Sequence, residues 1–77
     1  MENIGKIVRY HRKKARLSQI ELSKLAGVGK STVFDIEKGK KELQLDKLIA
    51  ICEALNISIE FKSPLMAEYA KSESLSK

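Results

Sequence analysis

The chain has 77 residues, 32% of them charged and 43% hydrophobic, with a formal net charge of +5. That length allows one domain with a small core and excludes Rossmann units, barrels and large enzymes, which need several times as many residues. No apolar run reaches the roughly 18 residues of a membrane span, Met1-Glu2-Asn3 begins no signal peptide, and a single cysteine, Cys52, forbids an intrachain disulfide.

Asn3 is placed to cap a first helix whose apolar stripe runs Ile4, Ile7, Val8 and Ala15. His11 and Arg12 fall in the gap where the stripe should continue, and the helix is expected to fail near Arg16. Leu17-Ser18-Gln19-Ile20-Glu21 then restarts with a capping box: Ser18 caps, and Glu21 reaches back to the cap amide. The second helix runs briefly through Leu22, Leu25 and Ala26 and ends at Gly27. After Val28-Gly29 comes a third helix, Lys30 to Lys38, stopped by Gly39. Val33 and Ile36 face inward, with Val28 packing beneath from the turn. Lys40-Lys41-Glu42 is a polar connection. Leu45, Leu48, Ile49, Cys52 and Leu55 mark a fourth helix, with Asn56 as a left-handed stop.

The period then changes. Ile57, Ile59 and Phe61 alternate with Ser58, Glu60 and Lys62, the two-residue repeat of a strand. A lone strand leaves its backbone unpaired, so the expected partner is the same strand of a second copy, antiparallel across a two-fold axis. A frayed extension of the fourth helix is the alternative. Pro64 ends the strand, and residues 63–77, rich in Ser, Lys and Glu, are expected to form a flexible tail. Leu65, Met66 and Tyr69 would make one amphipathic turn on a partner. The chain thus divides into a domain, 1–62, and a tail, 63–77.

Charge is uneven along the chain. Residues 1–41 carry eleven basic and four acidic side chains, a net of +7, whereas residues 42–77 carry −2. That asymmetry points to a polyanionic partner for the first half, against the alternative of a merely solubilising face. Gly27-Val28-Gly29-Lys30-Ser31 resembles the end of a phosphate-binding loop, but the motif needs Gly where Lys24 stands and a strand before it. One histidine, His11, and one cysteine cannot make a four-ligand metal site. Cys52 reads as a small core residue, and His11 faces either Glu37 or solvent. With no nucleophile–base pair visible, neither an enzyme nor a cofactor, metal, membrane or small-molecule ligand is expected. The single cysteine points to a reduced compartment.

Two short helices separated by a turn, the second opening with polar side chains among basic ones, describe a helix-turn-helix. From Ile4 to about Leu55 the chain resembles the lambda-repressor-like, Cro/C1-type (XRE) family. The resemblance is carried by Leu17-Ser18-Gln19-Ile20-Glu21-Leu22-Ser23-Lys24-Leu25-Ala26-Gly27-Val28 and Thr32-Val33-Phe34-Asp35-Ile36-Glu37-Lys38-Gly39. With Ile57–Lys62 added, it is most similar to HipB-type antitoxins, whose C-terminal strands pair in the dimer.

The resemblance implies a location in the bacterial cytoplasm, at the nucleoid when bound to DNA, and it implies roles. Ser18 and Gln19 would contact a phosphate; Lys30, Ser31, Thr32 and Asp35 would face base edges; Lys38, Lys40 and Lys41 would lie along the DNA backbone. Arg12 and Glu37 would form a structural ion pair inside the fold, and Ile57, Ile59 and Phe61 the dimer contact. Asp35 either accepts from cytosine N4 or is a solvated charge near Lys38. Phe34, exposed by helical phase, either touches a thymine methyl or packs against a neighbouring copy's surface or the stem of the second helix. Relatives often carry Gly where Arg16 stands, implying a left-handed residue there. They often carry Ser or Thr where Gly29 stands, implying a weaker cap here.

The expectation is an all-α, compact bundle of four or five helices with one short C-terminal strand pairing across a dimer. Its expected function is repression of transcription from a palindromic double-stranded DNA operator, as the antitoxin of a toxin–antitoxin pair with a kinase-like toxin as partner. The alternatives are a stand-alone phage or restriction-system regulator and a protein-interaction adaptor.

Overall fold

The structure, a computed structural model, describes residues 4–75, so the expected Asn3 cap lies outside the described residues. It contains α1 (Ile4–Lys14), α2 (Gln19–Ala26), α3 (Lys30–Lys38), α4 (Leu45–Ala54) and α5 (Met66–Leu75). The first four end in one way. Arg16, Gly27, Gly39 and Asn56 stand in the left-handed region, at φ 59°, 72°, 89° and 58°. After each, the next amide turns back: Leu17 donates to the Arg12 carbonyl, Val28 to Ser23, Lys40 to Asp35 and Ile57 to Cys52. This terminator satisfies carbonyls that a bare helix end would orphan. Glycine takes that conformation freely and asparagine readily, whereas arginine bears a cost of about 1 kcal/mol or more.

Three of these turns, through Leu17, Val28 and Ile57, return the chain to the core. That core is Val8, Leu22, Val33, Ile36, Leu48, Ile51, Cys52 and Leu55, with Leu22, Val33 and Ile51 fully buried. Removing such a side chain from water contributes about 1.5–3 kcal/mol. α2 packs on α3 and α4, while α1 packs on α3. The last crossing is close because Gly5 faces the α3 backbone. A Cβ there would meet the Ile36 carbonyl oxygen and come within 2.8 Å of the Glu37 carbonyl oxygen. Leu25, Leu45 and Ile49 fall on the apolar stripes of their helices, yet they are exposed.

The C-terminal third departs from expectation at two places. Residues 57–62 are irregular, and no strand occurs among the described residues. Ile57 packs against the core, but the segment has no in-chain neighbour to pair with. Alternation alone cannot supply the missing ladder. Residues 66–75, read as a flexible tail, form α5. Ser63 Oγ accepts from the Leu65 amide at 3.2 Å, and Pro64 follows at a position where its missing N–H is harmless. Ser63-Pro64 is therefore the opening of a helix as well as the end of the segment before it. Ala67, Glu68, Ala70 and Lys71 then favour continuation.

α5 adds little burial: from Ala67 to Glu73 every residue is exposed. The radius of gyration is 15.0 Å, against about 11–12 Å for a compact chain of this length. The extents, 44 × 23 × 22 Å, fit a globular bundle with a helical extension.

Candidate nucleic-acid interface

The capping box opens α2: Ser18 Oγ accepts from the Glu21 amide at 3.0 Å and Glu21 Oε1 from the Ser18 amide at 2.8 Å. The Ser18 amide, with the Ser18 hydroxyl second to it, holds the Glu21 carboxyl below its ordinary value. The amides of Gln19 and Ile20, in the first turn, have no intrahelical acceptor and remain for an outside one. The Gln19 side chain turns inward and donates from Nε2 to Glu37 Oε1 at 3.3 Å.

Glu37 is the junction of three helices. Arg12 on α1 donates to it through Nε, at 2.6 Å, and through Nη2, at 2.9 Å. Arg12 Nη1 also donates to the Leu17 carbonyl at 2.8 Å, closing the turn between α1 and α2. The side chains of Arg12 and Glu37 are only 11% and 5% exposed. Their bidentate geometry satisfies both charges and pushes the guanidinium pKa up, chiefly through the hydrogen bond to Glu37. The arginine that interrupts the α1 stripe thus fixes α3 relative to α1 and α2. His11, one residue earlier, donates from Nδ1 to the Ile7 carbonyl at 2.7 Å, and no metal-ligand cluster occurs among the described residues.

With Val33 and Ile36 fixed inward, helical phase turns Ser31, Phe34, Asp35 and Lys38 outward on α3. Lys30 is exposed at the helix start, where Gly29 supplies no side-chain cap, and Thr32 is half-buried toward α4. Thr32, Asp35, Lys40 and Lys41 line one open cleft between α3 and the start of α4. Lys30, Ser31 and Lys38 are not among its lining residues, and Ser18 and Gln19 sit at the α2 start. Asp35 approaches Lys40, with 3.5 Å between Oδ2 and Nζ, rather than Lys38. An exposed pair of that length contributes little stability, but it offsets an acid on a basic surface. Lys38 instead places its ammonium 5.7 Å from the centre of the Phe34 ring.

Sequence reasoning missed two residues. Gln44 and Lys47, at the start of α4, line the same cleft and raise its lysines to three, against the carboxylates of Asp35 and Glu42. Their signal was position: Gln44 is the N-cap of α4 and Lys47 follows on its first turn. A second, apolar cleft lies between α4 and the segment after it, lined by Leu45, Ile49, Cys52, Ile57, Ile59 and Phe61. Burial pushes the Cys52 thiol pKa up, as befits a packing residue and not a reactive thiolate.

A short α2, a left-handed turn and an α3 with a polar outer arc define the helix-turn-helix class. The profile of the helix-turn-helix family matches residues 8–62. An uncharacterised helix-turn-helix-type transcriptional regulator, y4mF, from Sinorhizobium fredii is 39% identical over 62 residues, covering 80% of this chain and 82% of its own. A solved structure titled MDT Protein superposes with a TM-score of 0.73 at 19% identity, over 82% of this chain and 89% of that one, a likeness of fold alone. The chain belongs to the XRE-type helix-turn-helix family of DNA-binding transcription regulators.

No helix among the described residues is long and apolar enough to cross a membrane.

Proposed function

We propose that the protein is a sequence-specific transcriptional repressor that binds a palindromic DNA operator as a homodimer. α3 enters the major groove, with Lys30, Ser31, Thr32 and Asp35 toward base edges. The carrying observation is the outward arc of α3 standing beside a cleft that gathers Lys40, Lys41 and Lys47. A helix that lies in a groove must present polar side chains between two phosphate walls, and lysines at its flank suit one wall. Ser18 and Gln19, at the start of α2, lie toward the other. There the Gln19 and Ile20 amides meet a phosphate, and the helix dipole favours its charge.

The proposed dimer surface is the apolar cleft with Ile59, Phe61, Leu45 and Ile49 at its rim, all exposed in the single chain. Pairing of residues 57–62 across a two-fold axis satisfies their backbone and covers that face. The operator then holds two half-sites about 34 Å apart, or a multiple of that spacing. Resemblance to HipB-type antitoxins extends the proposal to an autoregulator of a two-gene module, with a kinase-like toxin as partner.

Selection of the purified protein on a random duplex library at near-physiological salt tests this reading. Enrichment of an inverted repeat, lost when Lys30 and Ser31 are both replaced by alanine, is the expected result. Binding without enrichment makes the basic face non-specific and favours the adaptor alternative. Ile59→Lys is expected to give monomers at micromolar concentration by sedimentation; a persistent dimer refutes the proposed pairing surface.

A further inference from the structure

Phe34 is 49% exposed on the outward arc of α3, beside Ser31 and Lys38. It packs no core: Val33 and Ile36 are the buried residues of this helix. It also stands apart from the apolar cleft of α4 and residues 57–61, so a dimer built there does not cover it. The Lys38 ammonium, 5.7 Å from the ring centre, lies over the ring, while Asp35, the next residue, turns toward Lys40. A cation and an aromatic ring attract each other, so this contact favours one placement of the ring. The outcome is an apolar surface on a helix whose other outward residues are polar.

A phenyl ring offers no hydrogen bond, so it distinguishes base pairs in the major groove through apolar contact alone. The apolar group displayed there is the C5 methyl of thymine. Cytosine methylated at C5 shows the same group at the same ring position. We propose that Phe34 is a specificity-determining residue that reads a pyrimidine C5 methyl within each half-site. The inference rests on the reading of α3 as the groove-entering helix.

The test uses the full chain and the duplex obtained by selection, with each thymine of a half-site replaced in turn by uracil. Uracil keeps every hydrogen-bonding group and lacks only the methyl. At one position the substitution is expected to weaken binding about fourfold, the worth of one methyl removed from water. Phe34→Ala is expected to bind the thymine and uracil duplexes equally. A parallel arm compares cytosine with 5-methylcytosine at pyrimidine positions of the half-site. A methyl response there, again erased by Phe34→Ala, assigns methylated cytosine as the source; a response to uracil alone assigns thymine.

Selective binding indifferent to both substitutions overturns the inference and leaves the function standing. So does a methyl response that Phe34→Ala leaves unchanged, or a Phe34→Ala variant that changes only the sedimentation of the protein. Absence of any selective duplex overturns the function and this inference together. Wild-type arms indifferent to the methyl overturn the inference alone; assigning a response to Phe34 takes the Phe34→Ala arm, or Phe34→Ser where the alanine variant is poorly behaved.

Discussion

Gly5 sits where α1 crosses α3, and the obstacle to any side chain there is backbone: the carbonyls of Ile36 and Glu37. Gly5→Ala is therefore expected to prise α1 from α3 and cost about 1–3 kcal/mol in denaturant unfolding, the usual range for overpacking. The Arg12–Glu37 pair admits a sharper expectation. Glu37→Ala leaves a guanidinium that is 11% exposed without its carboxylate, and should cost about 3 kcal/mol. Replacing both partners by apolar residues of similar volume, Arg12→Met with Glu37→Leu, should recover most of that loss, because no unpaired charge remains. A double variant as unstable as Glu37→Ala refutes that account. Spacing showed only that Arg12 broke an apolar stripe; the resemblance supplied its partner.

Helix ends were largely legible because they rest on local chemistry. Ser18 with Glu21, Gly27, Gly39 and Asn56 each fix a boundary through bonds made within a few residues. Coverage was not legible. Periodicity puts Leu25, Leu45 and Ile49 on apolar stripes but cannot say whether another element lies over them. The alternation after Asn56 likewise names a face without naming a partner. α5 was read as a tail because Ser, Lys and Glu dominate its composition and its apolar residues form no sustained stripe; propensity and the Ser63-Pro64 start were the available signals. Its exposed residues predict that a chain ending at Ser63 melts at the same temperature as the full chain, within error. A drop of several degrees would mean that α5 is covered in solution. For α2, the Glu21 carboxyl is lowered by its bonds to Ser18. Its stabilisation is therefore complete at neutral pH and lost as pH falls through the folded-state value. The stability gap between wild type and Glu21→Gln should thus narrow on acidification below the ordinary carboxylate range. A constant gap excludes the charged cap.

Across the molecule, the basic excess and the apolar cleft fall on different elements. The basic excess lies in residues 1–41, and the α3–α4 cleft adds Lys47 to Lys40 and Lys41. If these three neutralise phosphates, each alanine replacement lowers the slope of log affinity against log salt by about one. Ser31→Ala should leave that slope unchanged while altering sequence preference, and a slope indifferent to all three lysines removes the cleft from the interface. The apolar cleft, from Leu45 and Ile49 to Ile59 and Phe61, belongs to α4 and the segment after it. The tie at Glu37 gives this division a further meaning. One carboxylate, with partners from α1 and α2, sets the attitude of α3 from its inner side, while Ser31, Phe34, Asp35 and Lys38 occupy the outer side. Phe34 bears on Lys38 and Asp35 on Lys40, and none of the four belongs to the core. Their chemistry can be rewritten without disturbing the scaffold, so, with α3 as the proposed groove helix, one stable framework can acquire new DNA sequences to address by surface substitution alone.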